Sequence, residues 1–391
     1  MSSVAKAAVG LMAATLVAKI LGFGRELALA SAYGASGVSD AFLVAMNIPA
    51  VIFTAIGTSL GTAFIPLYCE VNANKGEQWS NKFTNNVFNI VVIICIVISV
   101  IGAIFTPQIV KIFAVGFEGE TLRLAIYFTR VMILGLAFLG MSYIMMAYLQ
   151  VKENFIIPGF MSVPYNILII ISIIVSVKIS PYLLPWGTLI GLSLQFLFQL
   201  PFAIKKGYRY KLYIDVKDEH LKRMLWLIAP VLIGVAVNQI NTIVDRTIAS
   251  TLVEGSISAL NYATKLNQFV MGMFIVSISS VVYPMLSKLS SENNKEQFNK
   301  SIITSVNTVT LLVIPISIGA IILANPIVKL LFQRGEFDVR ATQMTAVALI
   351  FYSIGMIGYG LRDILGKVFY SLQDTRTPMI NGVIAMVLNI T

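Results

Sequence analysis

Charge is scarce in this 391-residue chain, where only 12% of the residues are Asp, Glu, Lys or Arg. A soluble domain carries about 25%. With 57% hydrophobic residues and a mean hydropathy of +0.85, there is too little polar surface to cover a water-soluble particle. The bilayer must serve as solvent for much of the chain. Cysteine is nearly absent. Cys69 and Cys95 are the only two, and Cys95 stands in the middle of the apolar run VVIICIVISV, so no disulfide framework is expected. The single histidine, His220, has no companion cysteine or histidine, which excludes a zinc centre built on such groups. Walker loops and HExxH are missing, so no catalytic residues and no cofactor are expected. A basic n-region ahead of the first apolar run is missing too. That run continues into Arg25 and Glu26 where a small-residue cleavage site would stand, so it is expected to be a first span and not a signal peptide.

Long apolar runs fill the rest. A span needs about 20 mostly apolar residues. About eleven runs qualify, at roughly 5–32, 39–68, 84–113, 121–148, 156–178, 183–204, 224–250, 257–286, 300–324, 341–371 and 378–391. The last stops at Thr391 without a terminating loop, as expected of a stretch cut from a longer protein. The net charge is +10, but the basic residues sit in short loops between spans. That is the pattern of a membrane protein obeying the positive-inside rule, not of a nucleic-acid binder. One set of loops holds Lys75, Lys82, Lys152, Lys205, Lys206, Arg209, Lys211, Lys217, Lys222, Arg223, Lys288, Lys295, Lys300 and Arg376. The opposite set holds fewer, among them Lys111, Arg123, Lys178 and Lys329. The richer side, and with it the N-terminus, is expected to be cytoplasmic.

The sequence also repeats itself. IPLYCEVNANKGEQWSNKF answers to VYPMLSKLSSENNKEQFNK, TPQIVKIFAVGFEGE to ANPIVKLLFQRGEF, and YLQVKENFIIPGF to YSLQDTRTPMING. The offset stays between about 218 and 223 residues. Six spans per repeat is an even number, so both halves enter the membrane from the same side. The expected architecture is all-α and polytopic, with two lobes related by an axis along the membrane normal and a site at their interface. The expected divisions are an N-terminal lobe at 1–206, a basic linker at 207–223, and a C-terminal lobe at 224–391.

Charges within spans are costly, at about 2.5–3.5 kcal/mol each at the bilayer centre, and persist where they are paired or face water. The first span carries Lys19, Arg25 and Glu26, with Lys19 and Glu26 on one helical face and Arg25 about 100° from Glu26. Asp40 opens the second span, and Asp245 and Arg246 close the seventh. In the eighth, Asn261, Lys265 and Gln268 form a polar stripe at i, i+4, i+7. Arg362, Asp363 and Lys367 in the tenth are expected to be structural, with Asp363 and Lys367 as i, i+4 partners. The cations Lys19, Arg25, Arg246 and Lys265 are expected to line a water-filled cavity, held unneutralised. Arginine forks match phosphate oxygens in pairs and lysine acts as a point charge, so a diphosphate is the expected guest. Glu26, Asp40 and Asp245 would balance charge when the cavity is empty, or couple to a cation. The alternative for these residues is a set of helix-locking ion pairs or snorkelling side chains.

LGFGRELALASAYGASGVSDAFLVAMNIP (21–49), LFQRGEFD (331–338) and VFYSLQDTRTP (368–378) resemble the MurJ-type (MviN) lipid II flippases of the MOP exporter superfamily. The resemblance covers essentially the whole chain. It implies two six-helix lobes, alternating access, and transfer of lipid II, an undecaprenyl-diphosphate-linked peptidoglycan precursor, from the inner to the outer leaflet of the bacterial cytoplasmic membrane. It places the family's cavity arginine and acid on Arg25 and Glu26, a second basic position on Lys19, the acid opening the second helix on Asp40, and the basic residue of the eighth helix on Lys265. Three departures stand out: Lys replaces Arg at 19 and 265, Thr264 stands where an acid or amide is frequent, and Phe53 and Thr54 occupy the place of an arginine pair. The alternatives within the same superfamily are a flippase for another undecaprenyl-linked glycan and a cation-coupled multidrug exporter. A non-transporting envelope scaffold is the third.

Overall fold

The apolar runs fold as helices in the computed structural model, which describes residues 3–292, 294–374 and 376–390. The α-helices are α1 Ser3–Tyr33, α2 Gly37–Lys75, α3 Glu77–Ile104, α4 Thr106–Phe113, α5 Gly119–Met132, α6 Leu136–Val151, α7 Ile156–Phe160, α8 Ser162–Lys178, α9 Leu184–Lys205, α10 Glu219–Ser250, α11 Ser256–Ser291, α12 Lys295–Ile322, α13 Ala324–Phe332, α14 Val339–Ser371 and α15 Arg376–Ile390. Among the described residues there is no strand. Among the described residues, eight helical segments are long and apolar enough to cross a membrane. The first, seventh and last expected runs form α1, α10 and α15, which fall outside those eight; α15 is only 15 residues long. Side chains such as Ile96, Val97 and Ile101 on α3 and Leu311 on α12, 73% exposed, stay outside the protein core. An apolar face of this kind is solvated by lipid, so the chain is a multi-pass membrane protein.

The expected third and ninth spans are broken. α3 ends at Ile104 and the chain restarts as α4, which has Pro107 in its first turn. Proline has no N–H to give and its ring clashes with the preceding turn, so it opens a helix more readily than it continues one. α12 and α13 break at Leu323 in the same way. The repeated Ile-Val-Lys thus marks two equivalent short helices, each burying its valine: Val110 and Val328 are both 0% exposed.

The repeat extends to backbone conformation. Glu153 and Gln373 have φ of 58° and 62°, and they are the positive-φ residues other than glycine among those described. Each follows a helix end where the next N–H reaches back: Asn154 N donates to Leu149 O, and Asp374 N to Phe369 O. This is a left-handed helix stop, a position that glycine occupies without Cβ strain. Glu153→Gly and Gln373→Gly are each expected to stabilise by about 0.5 kcal/mol after the added freedom of the unfolded chain is subtracted. Together they should raise the thermal midpoint in detergent by about 2 °C. A lower midpoint would show that the two side chains hold the turns through contacts of their own.

The chain forms two compact units, Met1–Glu254 and Gly255–Thr391. In the first, α8 lies against α1 and α9, and α2 packs on α5, α6 and α10. Its core holds Phe64, Tyr68, Phe83, Tyr148 and Tyr208. In the second, α11 packs on α14 and α12, with Ile275, Val309, Val313, Met356 and Ile364 between them. The packing boundary therefore lies one helix beyond the expected linker, because α10 docks on the first unit. Thr247 Oγ1 donates to Ile112 O at 2.8 Å, and Gly116 N donates to Ser250 Oγ at 3.0 Å. A Cβ at Gly116 would collide with the Ser250 backbone, so only glycine permits this approach.

The basic linker begins as a strap and ends as a helix. Residues 208–215 belong to no helix or strand, and α10 has already started at Glu219. Asparagines one turn apart on α3 hold the strap: Asn81 donates to Gly207 O (3.2 Å), Asn85 to Arg209 O (2.8 Å), and Asn89 to Lys211 O and Tyr213 O (3.2 and 3.1 Å). Asn86 donates to Asp215 O at 2.9 Å and accepts from Asp215 N at 2.7 Å. An asparagine side chain offers the donor and acceptor pair of a peptide, so the ladder stands in for a neighbouring strand.

Candidate functional site

Arg25 stands on α1, which packs along α8. One arm of its guanidinium, Nη2, donates to Glu26 Oε1 at 2.7 Å, and the other, Nη1, donates to Asn166 Oδ1 at 3.3 Å. The Tyr165 ring lies 6.0 Å from its carbon, within cation–π range. Asn166 is oriented in turn by donating to Ser162 O at 2.9 Å. The Arg25 side chain is 16% exposed and that of Glu26 is 2% exposed. The expectation that Arg25 is held without a counter-charge is therefore corrected. Adjacent helix positions diverge by about 100°, but the long arginine bends back over that angle, since an unpaired buried carboxylate would cost several kcal/mol.

A cavity of about 190 Å³ lies inside the same unit, lined by Met46, Phe53, Thr54, Tyr143, Tyr165 and Gln195, among others. Tyr165 is a wall of this cavity and also the face against which Arg25 rests. Phe53 packs on Tyr143 with ring centroids 5.0 Å apart. Where the resemblance in sequence implies an arginine pair, this chain therefore has an aromatic contact and a threonine.

The other expected residues fall as follows. Lys19 is exposed on α1 and makes no ion pair among the described residues. Asp40 is 3% exposed in the first turn of α2, where its carboxylate opposes the positive end of the helix. Arg246 is half-buried and Asp245 exposed on α10. In the second unit, Asn261 and Lys265 are half-buried and Gln268 exposed along α11, while Tyr262, Ala263, Leu266 and Asn267 are buried. The polar stripe thus runs along the side of α11 away from its core contacts. Asp363 and Lys367 do not pair: Ser279 Oγ donates to Asp363 Oδ2, and Lys367 Nζ lies 5.7 Å from the Tyr283 ring. The i, i+4 spacing allowed an ion pair, but partners on α11 took both side chains. Among the described residues, no group of His, Cys, Asp and Glu is placed to hold a metal ion.

The sequence did not point to Tyr165 and Asn166. An asparagine inside an apolar run, NILIIISIIV, is the signal that could have found one of them, since a buried amide needs partners.

Similarity to known proteins extends over the chain. A family model described as lipid II flippase MurJ matches residues 29–391. A probable lipid II flippase MurJ of Buchnera aphidicola subsp. Baizongia pistaciae is 30% identical across 99% of this chain and 76% of its own length. The lipid II flippase MurJ of Burkholderia cenocepacia is 29% identical across 93% and 73%. A solved lipid II flippase MurJ in an inward-closed conformation superposes with a TM-score of 0.84 at 30% identity, covering 97% of this chain and 79% of that one. An inward-facing multidrug transporter of the MATE family within the MOP superfamily reaches 0.75 at only 13% identity, across 98% and 87%, which shows a shared fold alone. With the family model matching residues 29–391 and a relative 30% identical across 99% of this chain, the chain belongs to the lipid II flippase MurJ family.

Proposed function

We propose that this protein is a lipid II flippase of the bacterial cytoplasmic membrane, carrying the precursor from the inner to the outer leaflet with its N-terminus on the cytoplasmic side. The family match over residues 29–391 carries this reading. The protein moves a lipid and changes no covalent bond. Lys19, Arg25 and Arg246 in the first unit, and Lys265 with Asn261 in the second, are the proposed contacts for the diphosphate. Glu26 and Asp40 balance charge when substrate is absent. The Arg25 fork is already aimed by Asn166 and Tyr165, and a phosphate oxygen is the stronger competitor for the arm now held by Glu26, because its charge and geometry match the fork. Exchange of that partner is the proposed signal by which the empty and loaded states differ, and alternating access completes the transfer. A coupling cation remains an optional part of the scheme, with Glu26, Asp40 or Asp245 as its counter-charge.

The test is leaflet-resolved labelling of lipid II in cells depleted of their own flippase. Supplying the full-length protein should return lipid II to the outer leaflet. Lipid II that stays inside while the protein is folded and in the membrane would sink the proposal. Export of an amphiphilic cation in the same cells would favour the multidrug-exporter alternative.

A further inference from the structure

A second apolar hollow lies in the first unit, away from Arg25. It has a volume of about 350 Å³ and is walled by Phe88 of α3, Met141 of α6, Phe196, Leu200 and Ile204 of α9, and by Tyr208 and Tyr210 of the strap. Phe88 forms its floor, with the rings of Phe196, Tyr208 and Tyr210 at 6.0, 6.5 and 5.8 Å. The two tyrosine hydroxyls turn away from the hollow and donate to Asn85 and Asn89 of α3, each at 3.0 Å. What remains towards the hollow is hydrocarbon. Its rim is open, since Ile204 and Tyr210 are each 56% exposed.

The chain at that rim reads Lys205, Lys206, Gly207, Tyr208, Arg209, Tyr210, Lys211. All four cations are exposed, and among the described residues none forms an ion pair. The nearest acid along the strap, Asp215, is occupied by Tyr213 Oη at 3.0 Å and Lys217 N at 2.9 Å. Glu77 is occupied by Lys152 at 2.5 Å. An apolar groove at the end of a membrane-spanning helix, closed by tyrosines and crowned by exposed cations, is complementary to one class of molecule. Tyrosine belongs at the membrane interface, and each basic side chain there favours an anionic lipid by roughly fivefold.

We propose that the α3–α6–α9 groove and its Lys205–Lys206–Arg209 rim form a binding site for an anionic diacyl phospholipid, with an acyl chain against Phe88 and Leu200 and the phosphate at the three cations. The site is separate from the Arg25 cluster and does not depend on what that cluster transports. Because the strap supplies two of its walls, bound lipid would also hold the strap on α3.

The test uses native mass spectrometry of the full-length protein offered equal amounts of phosphatidylglycerol and phosphatidylcholine. Phosphatidylglycerol should be retained at least tenfold over phosphatidylcholine. Lys205→Gln, Lys206→Gln and Arg209→Gln combined should erase that preference while leaving the thermal midpoint unchanged. Leu200→Trp should fill the groove and lower retention of both lipids. Met141→Trp fills it from the opposite wall, should the α9 variant fail to fold. Equal retention of the two lipids by the unmodified protein, or an undiminished preference in the triple variant, would overturn the proposal. Stoichiometric displacement of phosphatidylglycerol by undecaprenyl phosphate would also overturn it, because the groove would then belong to the transported lipid.

Discussion

Arg25→Ala is expected to leave lipid II in the leaflet where it is made, lowering transfer at least a hundredfold. The magnitude follows from losing two charge-assisted hydrogen bonds to a phosphate at about 1.5 kcal/mol each. The single variant has a second consequence. Glu26, with its side chain 2% exposed, would lose its 2.7 Å partner, and breaking a buried ion pair by removing one member costs about 3–5 kcal/mol. Loss of transport in Arg25→Ala therefore has two causes that must be separated. Arg25→Gln combined with Glu26→Gln removes both charges and keeps amides able to bond each other and Asn166. That double variant should accumulate in the membrane with a near-normal thermal midpoint and still fail to transfer lipid II. Arg25→Lys keeps the charge, loses the fork, and should fall between. Normal outer-leaflet labelling by the double variant would make the Arg25–Glu26 pair a structural lock between α1 and α8, with no part in binding.

The second large effect is on the strap. Asn86 is fully buried and exchanges two hydrogen bonds with the Asp215 backbone. Asn85 and Asn89, 2% and 5% exposed, hold one and two carbonyls respectively and a tyrosine hydroxyl each. Replacing Asn86 and Asn89 by leucine removes these partners and should weaken attachment by about 1–3 kcal/mol per site. Trypsin reports this directly, since Arg209, Lys211 and Lys217 lie on the strap. Cleavage there should accelerate at least tenfold in the double variant while α3 and α9 remain intact, because the cleavable form is the detached one. An unchanged cleavage rate would show that tyrosine packing alone retains the strap.

The same segment gives a pH dependence. The backbone N–H of Lys217, and then the Tyr213 hydroxyl, hold the Asp215 carboxyl below the usual carboxylate range. A carboxylate lowered on folding contributes stability above its unfolded value of about 3.9, and that contribution is lost as pH falls through the folded value. Tryptic loosening cannot be followed in acid, but pepsin can. Strap cleavage should therefore rise below about pH 4, and Asp215→Asn should remove most of that rise.

The residues themselves carried the membrane class, the approximate order and placement of the helices, and the repeat. Hydropathy and proline placement are local properties, and equivalent sequences such as TPQIVKIF and ANPIVKLLF meet equivalent local constraints, so both fold as short helices after a break. Even the matching left-handed stops at Glu153 and Gln373 follow from this. The presence of Arg25 and Glu26 in a span was legible for the same reason, since a charge in an apolar run stands out whatever surrounds it.

Partnership was not legible. Asn166 lies 141 residues from Arg25 along the chain, and no periodicity within either helix specifies that α8 lies against α1. α10 docks on the first unit because Gly116 lets a loop touch its end, and the asparagines of α3 bind a strap more than 120 residues away. A sequence fixes what each helix must hide and which groups cannot be left alone. Which distant group answers each need is settled only when the helices pack, because the energy of a buried ion pair or amide depends on the distance and desolvation that packing creates.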